Sequence, residues 1–481
     1  MKKIYLLGIA ALSLLAVSCG KDNKDNIDWG AVTVNGFYVA GPATGSDEIK
    51  ADCVMAAGFN EVDKAVREGM YEKYIVLEGG KEFYLLYNDG GNKERYSATL
   101  TEFTTPEEEA YSDNPASVLK GNLVTGTKAP AMKVEKTGLY HIVLDINKAG
   151  DLKDAQIVLL DASDFGVRGA MNGWGFSSAT EKTEFSNDGM TFTFKDQKMA
   201  KNGEFKFATG NYWKVTLDDA GKVKAEVSLA EGMTLNGANL KVDKAGLYDI
   251  TLTFKLAQGS FDKNFSYTAV CTQESNLPET MFMIGDGIQG WNLGDKDGNG
   301  NPQENHAVAM HPFHSQPGAF WAIRYIEAGK GFKFSPVNTG WGSDFTDLGN
   351  GKGFTVSGGN CSVATSGLYT LQVDYENSKV IVEPAVIIGM DKPFGNDNWD
   401  KTLEAAKFTI DGKLASKTAV AAGNIRTFVS CELNGDWWHA EFVPKDGKIV
   451  YREAGGDPEA IAIAAGQTLT YDFNAGTGVI K

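Results

Sequence analysis

Three runs along the chain share one alternation of apolar and polar side chains: Gly138-Leu-Tyr-His-Ile-Val-Leu-Asp145, Gly246-Leu-Tyr-Asp-Ile-Thr-Leu252 and Gly367-Leu-Tyr-Thr-Leu-Gln-Val-Asp374. A period of two sends successive side chains to opposite faces, so each run predicts a half-buried strand entered from a glycine turn. A second strand follows, clearest in Ala155-Gln-Ile-Val-Leu159 and Val380-Ile-Val-Glu383, and Gly466 to Phe473 is a weaker echo of the same unit. Short openings recur as well: Phe37-Tyr-Val-Ala-Gly41, Phe165-Gly-Val-Arg-Gly169, Phe282-Met-Ile-Gly285 and Val386-Ile-Ile-Gly389. Openings and closings stand roughly a hundred residues apart, the size of one β-sandwich. The expected fold is therefore all-β, four tandem immunoglobulin-like sandwich modules over 29–161, 162–275, 276–384 and 385–481. Helical signal is scarce; Glu61 to Lys73 and Pro106 to Tyr111 are candidates for short helices in the first module. The fullest unit runs from Met281 to Gly342, with strands Ala319 to Tyr325 and Gly331 to Phe334 between two glycine-rich loops.

The N-terminus breaks this pattern. Lys2-Lys3, an apolar run from Ile4 to Val17 and a small-residue site at Ala16-Val-Ser-Cys19 read as a signal peptide over 1–18. The run is too short for a spanning helix. The cleavage site resembles a bacterial lipobox, with Ala16 where leucine is commoner, and this implies that Cys19 becomes the acylated first residue of the mature protein. Residues 19–28 then form a lipidated, solvated tether. The 481 residues carry a formal charge of −16, and losing Lys2 and Lys3 leaves the mature chain near −18. Such a surface excludes nucleic acid and anionic lipid as main partners, because both require clustered Lys and Arg. The remaining Cys53, Cys271, Cys361 and Cys431 are far apart, show no CxxC, and read as small buried apolar residues.

Catalytic and metal constellations are not apparent. The five histidines include His311 and His314 close together, but no HExxH accompanies them. Neither a GxSxG elbow nor a phosphate-cradling loop is present. Asp295-Lys-Asp-Gly-Asn299-Gly300 starts like an EF-hand loop, yet its twelfth position is His306 rather than a bidentate Glu, which favours an acidic loop without metal. No cofactor is expected.

Tryptophans carry the functional signal. Indole faces accept the C–H patches of sugars, while nearby donors and acceptors engage the hydroxyls. In the third module Trp291 and Trp341 flank a strand bearing Lys333, with Asn338 in the second loop. The second repeats the pattern with Trp174, Lys206, Asn211 and Trp213; alternation buries Phe205 and Phe207 and turns Lys206 outward. Any one tryptophan beside glycine can equally be a core cap, and Trp321, amid apolar strand residues, reads as core.

The ordered set of lipobox, N-terminal sandwich, G-W turn, F-K-F strand, loop tryptophan and G-L-Y strand resembles the SusE/SusF family of surface lipoproteins from gut-bacterial starch-utilisation systems. It spans nearly the whole chain. The resemblance implies carbohydrate-binding-module-like sandwiches that hold starch-like or other polysaccharide at the cell surface without catalysis. It also implies lipid anchoring in the outer membrane, facing outward, beside a SusC/SusD-like importer. By position the aromatic platforms map to Trp174 with Trp213 and Trp291 with Trp341, and the basic donors to Lys206 and Lys333. The fourth module keeps Trp399 but shows Ile449 to Gly456 where F-K-F belongs. Arg452 with Tyr451, or Trp437-Trp438, replaces the missing parts there, or the site is lost. The first module offers only Tyr84 and Tyr87 and reads as a spacer. Two other classes stay open: a carbohydrate-active enzyme or accessory subunit, and a structural or adhesive surface lipoprotein.

Overall fold

A computed structural model describes residues 34–60, 65–90, 93–104, 117–126, 130–146, 155–209, 214–217, 223–226, 239–259, 261–453 and 455–481, and the statements below concern these residues. Cys19, Asn211, Trp213 and the Pro106 to Tyr111 segment lie outside them. The fold is nearly all strand; its one α-helix is the four-residue Phe261–Asn264, and no helix is long and apolar enough to cross a membrane.

The repeated runs form strands, but only Gly246–Lys255 alternates in burial as expected of a half-buried strand; Gly138–Asp145 is buried at every position, and Gly367–Asp374 is buried at most of its positions. Gly138, Gly246 and Gly367 are each the first residue of their strands, Gly138–Asp145, Gly246–Lys255 and Gly367–Asp374. The tyrosine two residues on makes the same bond each time. Its hydroxyl donates to the carbonyl four residues upstream, Tyr140 to Lys136 at 2.8 Å, Tyr248 to Lys244 at 2.9 Å and Tyr369 to Thr365 at 2.6 Å. This is the tyrosine corner of immunoglobulin-like sandwiches, which pins the strand entry to its preceding turn. The openings are strands Gly36–Ala40, Phe165–Gly169, Phe282–Ile284 and Ile387–Met390. Sheets pair strands within four successive stretches of chain, 36–161, 165–274, 282–384 and 387–480.

One expectation fails. The candidate helix at Glu61 to Lys73 is replaced from residue 65 onward by the thirteen-residue strand Ala65–Leu77. It pairs with Gly138–Asp145 on one side and Ala56–Asn60 on the other. The aromatic and β-branched run Tyr74-Ile-Val favours extended backbone, and ladders on both edges outweigh the weak helical propensity upstream.

The chain divides into two compact units. The first comprises Met1–Lys195, Phe205–Leu240 and Asp249–Val270; the second comprises Asp196–Glu204, Lys241–Tyr248 and Cys271–Lys481. In the first, Phe165 packs against Tyr74, Phe192 and Phe265. In the second, strand Ala319–Ile326 pairs along its whole length with Gly367–Asp374 and is buried on both faces. Phe320 and Ala322 join Met281, Met283, Phe332 and Phe334 in the core of the third stretch. Trp321 and Ile323, on the other face, enter the core of the fourth with Phe442, Leu469 and Tyr471. Polar contacts close the same seam: Arg324 donates to the carbonyls of Phe473 and Asn474, both at 3.0 Å, and Gln372 accepts the Leu433 amide at 3.0 Å.

Candidate functional site

In the third stretch, Ile284 lies opposite Lys333 in the ladder between Phe282–Ile284 and Lys333–Ser335. The chain then turns through Gly285 to Gly290, closed by the Gly285 amide on the Gly290 carbonyl at 2.8 Å, and delivers Trp291. Gly290 has φ 141°, and a Cβ there would fall 2.2 Å from the His306 ring, so only glycine fits. The Trp291 ring lies over Gly331, where a Cβ would fall 3.2 Å from its Cζ2, two residues before Lys333. Trp341 is 46 % exposed, with its ring centroid 6.2 Å from that of Trp291 at an interplanar angle of 40°. Lys333 Nζ bonds Asp344 at 2.7 Å, and this bond holds the Asp344 carboxyl below its ordinary range. Asn338 is exposed, and its carbonyl accepts from Asn305 Nδ2 at 2.7 Å.

The fourth stretch repeats this geometry with different residues. Met390 lies opposite Arg426, and the turn from Asp391 to Asn396 leads to Trp399. Trp399 and Trp437 have ring centroids 5.2 Å apart at 43°. The Arg426 guanidinium lies 5.0 Å from the Trp437 ring centroid and 6.0 Å from that of Trp399. Arg452, the residue expected here, is half-buried among ion pairs. It bonds Glu441 at 3.0 Å and Asp457 at 2.7 Å, and its guanidinium covers Trp438. Arg426 also binds Glu441 and Asp457, so the two arginines share one acidic pair. The signal for Arg426 was Ile425-Arg-Thr-Phe428, an imperfect F-K-F placed before the loop tryptophan, as in the third stretch. Thr427 replaces the first of the expected aromatics beyond the arginine because its hydroxyl meets Tyr471 Oη at 2.9 Å inside the core.

The second stretch shows half of the arrangement. Arg168 lies opposite Lys206, which is half-buried between the buried Phe205 and Phe207. Arg168 Nη1 bonds the Trp174 carbonyl at 3.1 Å, and the Asn172 amide group holds the turn through Gly169 N, Val167 O and Ser177 Oγ. Lys206, Lys333 and Arg426 thus occupy one register position, opposite the residue before the tryptophan turn. Trp174 and Trp399 share a further property, positive φ of 62° and 56°. Such backbone is uncommon for a bulky side chain and clusters at functional sites.

Other sequence candidates resolve into structure. Asp297 accepts the amides of Asn299 and Asn301, each at 2.8 Å, and Asn301 Nδ2 at 3.0 Å, so the EF-hand-like segment is a closed turn. His311 stacks on Tyr451 and bonds Glu453 at 3.0 Å, whereas His314 points to the Gly455 carbonyl at 3.2 Å. Among the described residues no three His, Cys, Asp or Glu side chains gather as a metal site. All four described cysteines are free; Cys53, Cys361 and Cys431 are buried, and Cys271 is half-exposed. Tyr84 and Tyr87 pack on Leu86's cluster and on Phe37, respectively.

Comparison with known proteins adds three findings. Residues 386–479 match the family described as SusF/SusE starch specific CBMs. The chain is 26 % identical over 407 residues to the outer membrane protein SusF of Bacteroides thetaiotaomicron, covering 80 % of this chain and 79 % of that one. The crystal structure of SusF from the same organism aligns with 93 % of this chain and 100 % of its own, at 19 % identity and a TM-score of 0.39.

Proposed function

We propose that this chain binds starch-like α-glucan without catalysis, at the outer face of a bacterial outer membrane to which acylated Cys19 tethers it. In this role it holds polymer beside a SusC/SusD-like importer, and the four stretches act as four modules, the first a spacer. The observation that carries the reading is the recurrence of one geometry, Trp291 with Trp341 and Trp399 with Trp437, each beside a basic residue at the same register position. Two indoles tilted by about 40° form a shallow trough that accepts successive sugar rings of a curved chain. Their apolar faces take the C–H patches, and the Lys333–Asp344 pair offers a donor and an acceptor to hydroxyls. Similarity to SusF, and the family match over the fourth stretch, favour an α-glucan over other polymers.

An open trough binds weakly, because each hydrogen bond replaces one to water. Sites repeated on one chain raise the local concentration of a long polymer at the next site and so offset that weakness. Titration calorimetry of the mature protein with maltoheptaose and with amylopectin tests the proposal. Trp291→Ala with Trp341→Ala should remove one class of site, and Trp399→Ala with Trp437→Ala another. Unchanged binding in both double variants would overturn the site assignment. New reducing ends during incubation would instead favour the enzyme class. Cys19→Ala should move the protein out of the membrane fraction.

A further inference from the structure

The hairpin arm from Asn292 to His306 has no role in the platform as described so far. Its sequence starts like an EF-hand loop but reads as an acidic loop without metal; its tip is closed by Asp297 and its sides pair at Leu293 with Asn305 and Lys296 with Pro302. The base of the arm places one side chain between the two tryptophan loops. Asn305 Nδ2 donates to the Leu293 carbonyl at 3.2 Å, two residues after Trp291, and to the Asn338 carbonyl at 2.7 Å, three residues before Trp341. Its Oδ1 accepts the Ala307 amide at 2.8 Å, so the whole amide group is engaged. The fourth stretch has an unrelated residue in the same office. Lys401, two residues after Trp399, donates to the Gly435 carbonyl, two residues before Trp437, and lies 3.9 Å from Asp436 Oδ1.

We propose that Asn305 and Lys401 are positioning residues that brace the two tryptophan loops of each trough at a fixed spacing and tilt. In each case a side chain from the first loop's segment holds a backbone carbonyl of the second. The brace costs no contact with ligand and limits the loop motion that binding would otherwise have to freeze. Two chemically different side chains reach the same connection, which points to the connection rather than to either residue type.

The part of this inference that concerns affinity rests on the glycan reading; the part that concerns ring spacing does not. Two indoles a few ångströms apart give an exciton couplet in circular dichroism, so ring spacing is measurable without any glycan. In the mature protein with Trp399→Ala and Trp437→Ala, the Trp291–Trp341 couplet remains to be read. Asn305→Ala should shrink that couplet toward the level of Trp341→Ala while leaving the thermal midpoint of the protein nearly unchanged. Maltoheptaose affinity at the third-stretch site, measured with Trp174→Ala added, should fall about five- to tenfold, the range expected for freeing one or two immobilised groups. In a Trp341→Ala background the same change should have no further effect on affinity. If Asn305→Ala lowers the thermal midpoint strongly, Lys401→Ala, at an exposed position, carries the same test on the Trp399–Trp437 couplet. An undiminished couplet in the folded variant overturns the brace, as does an equal loss of affinity with and without Trp341. A diminished couplet with no glycan bound by any variant supports the brace and sinks the glycan reading alone.

Discussion

Trp399 holds positive φ with a large side chain, a conformation that costs roughly 1–2 kcal/mol for residues other than glycine. Glycine at this position would relieve the strain that alanine retains. Trp399→Gly should therefore unfold at higher urea than Trp399→Ala, by about 1 kcal/mol, although both lose the platform. Equal stabilities would show that the turn relaxes without its indole. At this scale much of the candidate trough was legible. Trp291, Trp341 and Lys333 could be found because an indole in a glycine-rich loop and a lysine between strand phenylalanines both violate a pure core pattern. Arg426 was not found, since Ile425 and Thr427 stand where F-K-F has its two phenylalanines, and the Thr427 hydroxyl meets Tyr471 Oη instead of packing a ring. Trp213 and Asn211 remain expectations of the sequence alone.

At the level of the element, the G-L-Y runs were readable as strands because alternation and the leading glycine are local signals. What the tyrosine does was not readable, because a hydroxyl bond to the carbonyl four residues back leaves no mark on hydrophobic period. Tyr369→Phe removes the 2.6 Å bond to Thr365 without opening a cavity. It should cost about 1 kcal/mol, the usual net worth of one hydrogen bond, seen as a drop in the urea midpoint with an unchanged slope. The strand Ala319–Ile326 taught a different lesson. Its run from Ala319 is apolar through Ile323 and interrupted only at Arg324, and Trp321, flanked by apolar residues, was legible as core from it. Which core receives Trp321 depends on residues more than a hundred positions downstream, and no local pattern carries that.

For the whole molecule, the seam inside the second unit sets both its acid response and its divisibility. His314 and His439 stack there with ring centroids 5.6 Å apart, both buried. Burial is the main cause that pushes each imidazole down to about 4; Arg452 adds to it, while Gly455 and Glu204 beside His314 and Asp436 beside His439 oppose it. The unfolded chain titrates these groups near 6.5, so it binds protons first as pH falls. Stability from the neutral pair is complete above about pH 6.5 and drains away toward pH 4. Thermal midpoints at pH 7, 5.5 and 4.5 should decline for the second unit, and His314→Gln should flatten that decline; a flat profile in the parent protein would contradict the burial argument. Divisibility follows from the shared core. A fragment of residues 276–384 would expose Phe313, Trp321, Ile323 and Leu368 to water, whereas 276–481 keeps them covered. The shorter fragment should associate or melt at low temperature, and the longer one should remain monomeric with a cooperative transition, as light scattering and calorimetry would show.

The same seam bears on how such a chain can diversify. Gene recombination that joins a new C-terminal repeat after Pro384 would meet Trp321 with a surface that never evolved to receive it. Exchanges that carry the third and fourth repeats together keep the pair intact and are the ones selection can retain. The unit of exchange in this part of the protein is thus a doublet, in which the two tryptophan pairs are passed on, altered and lost together.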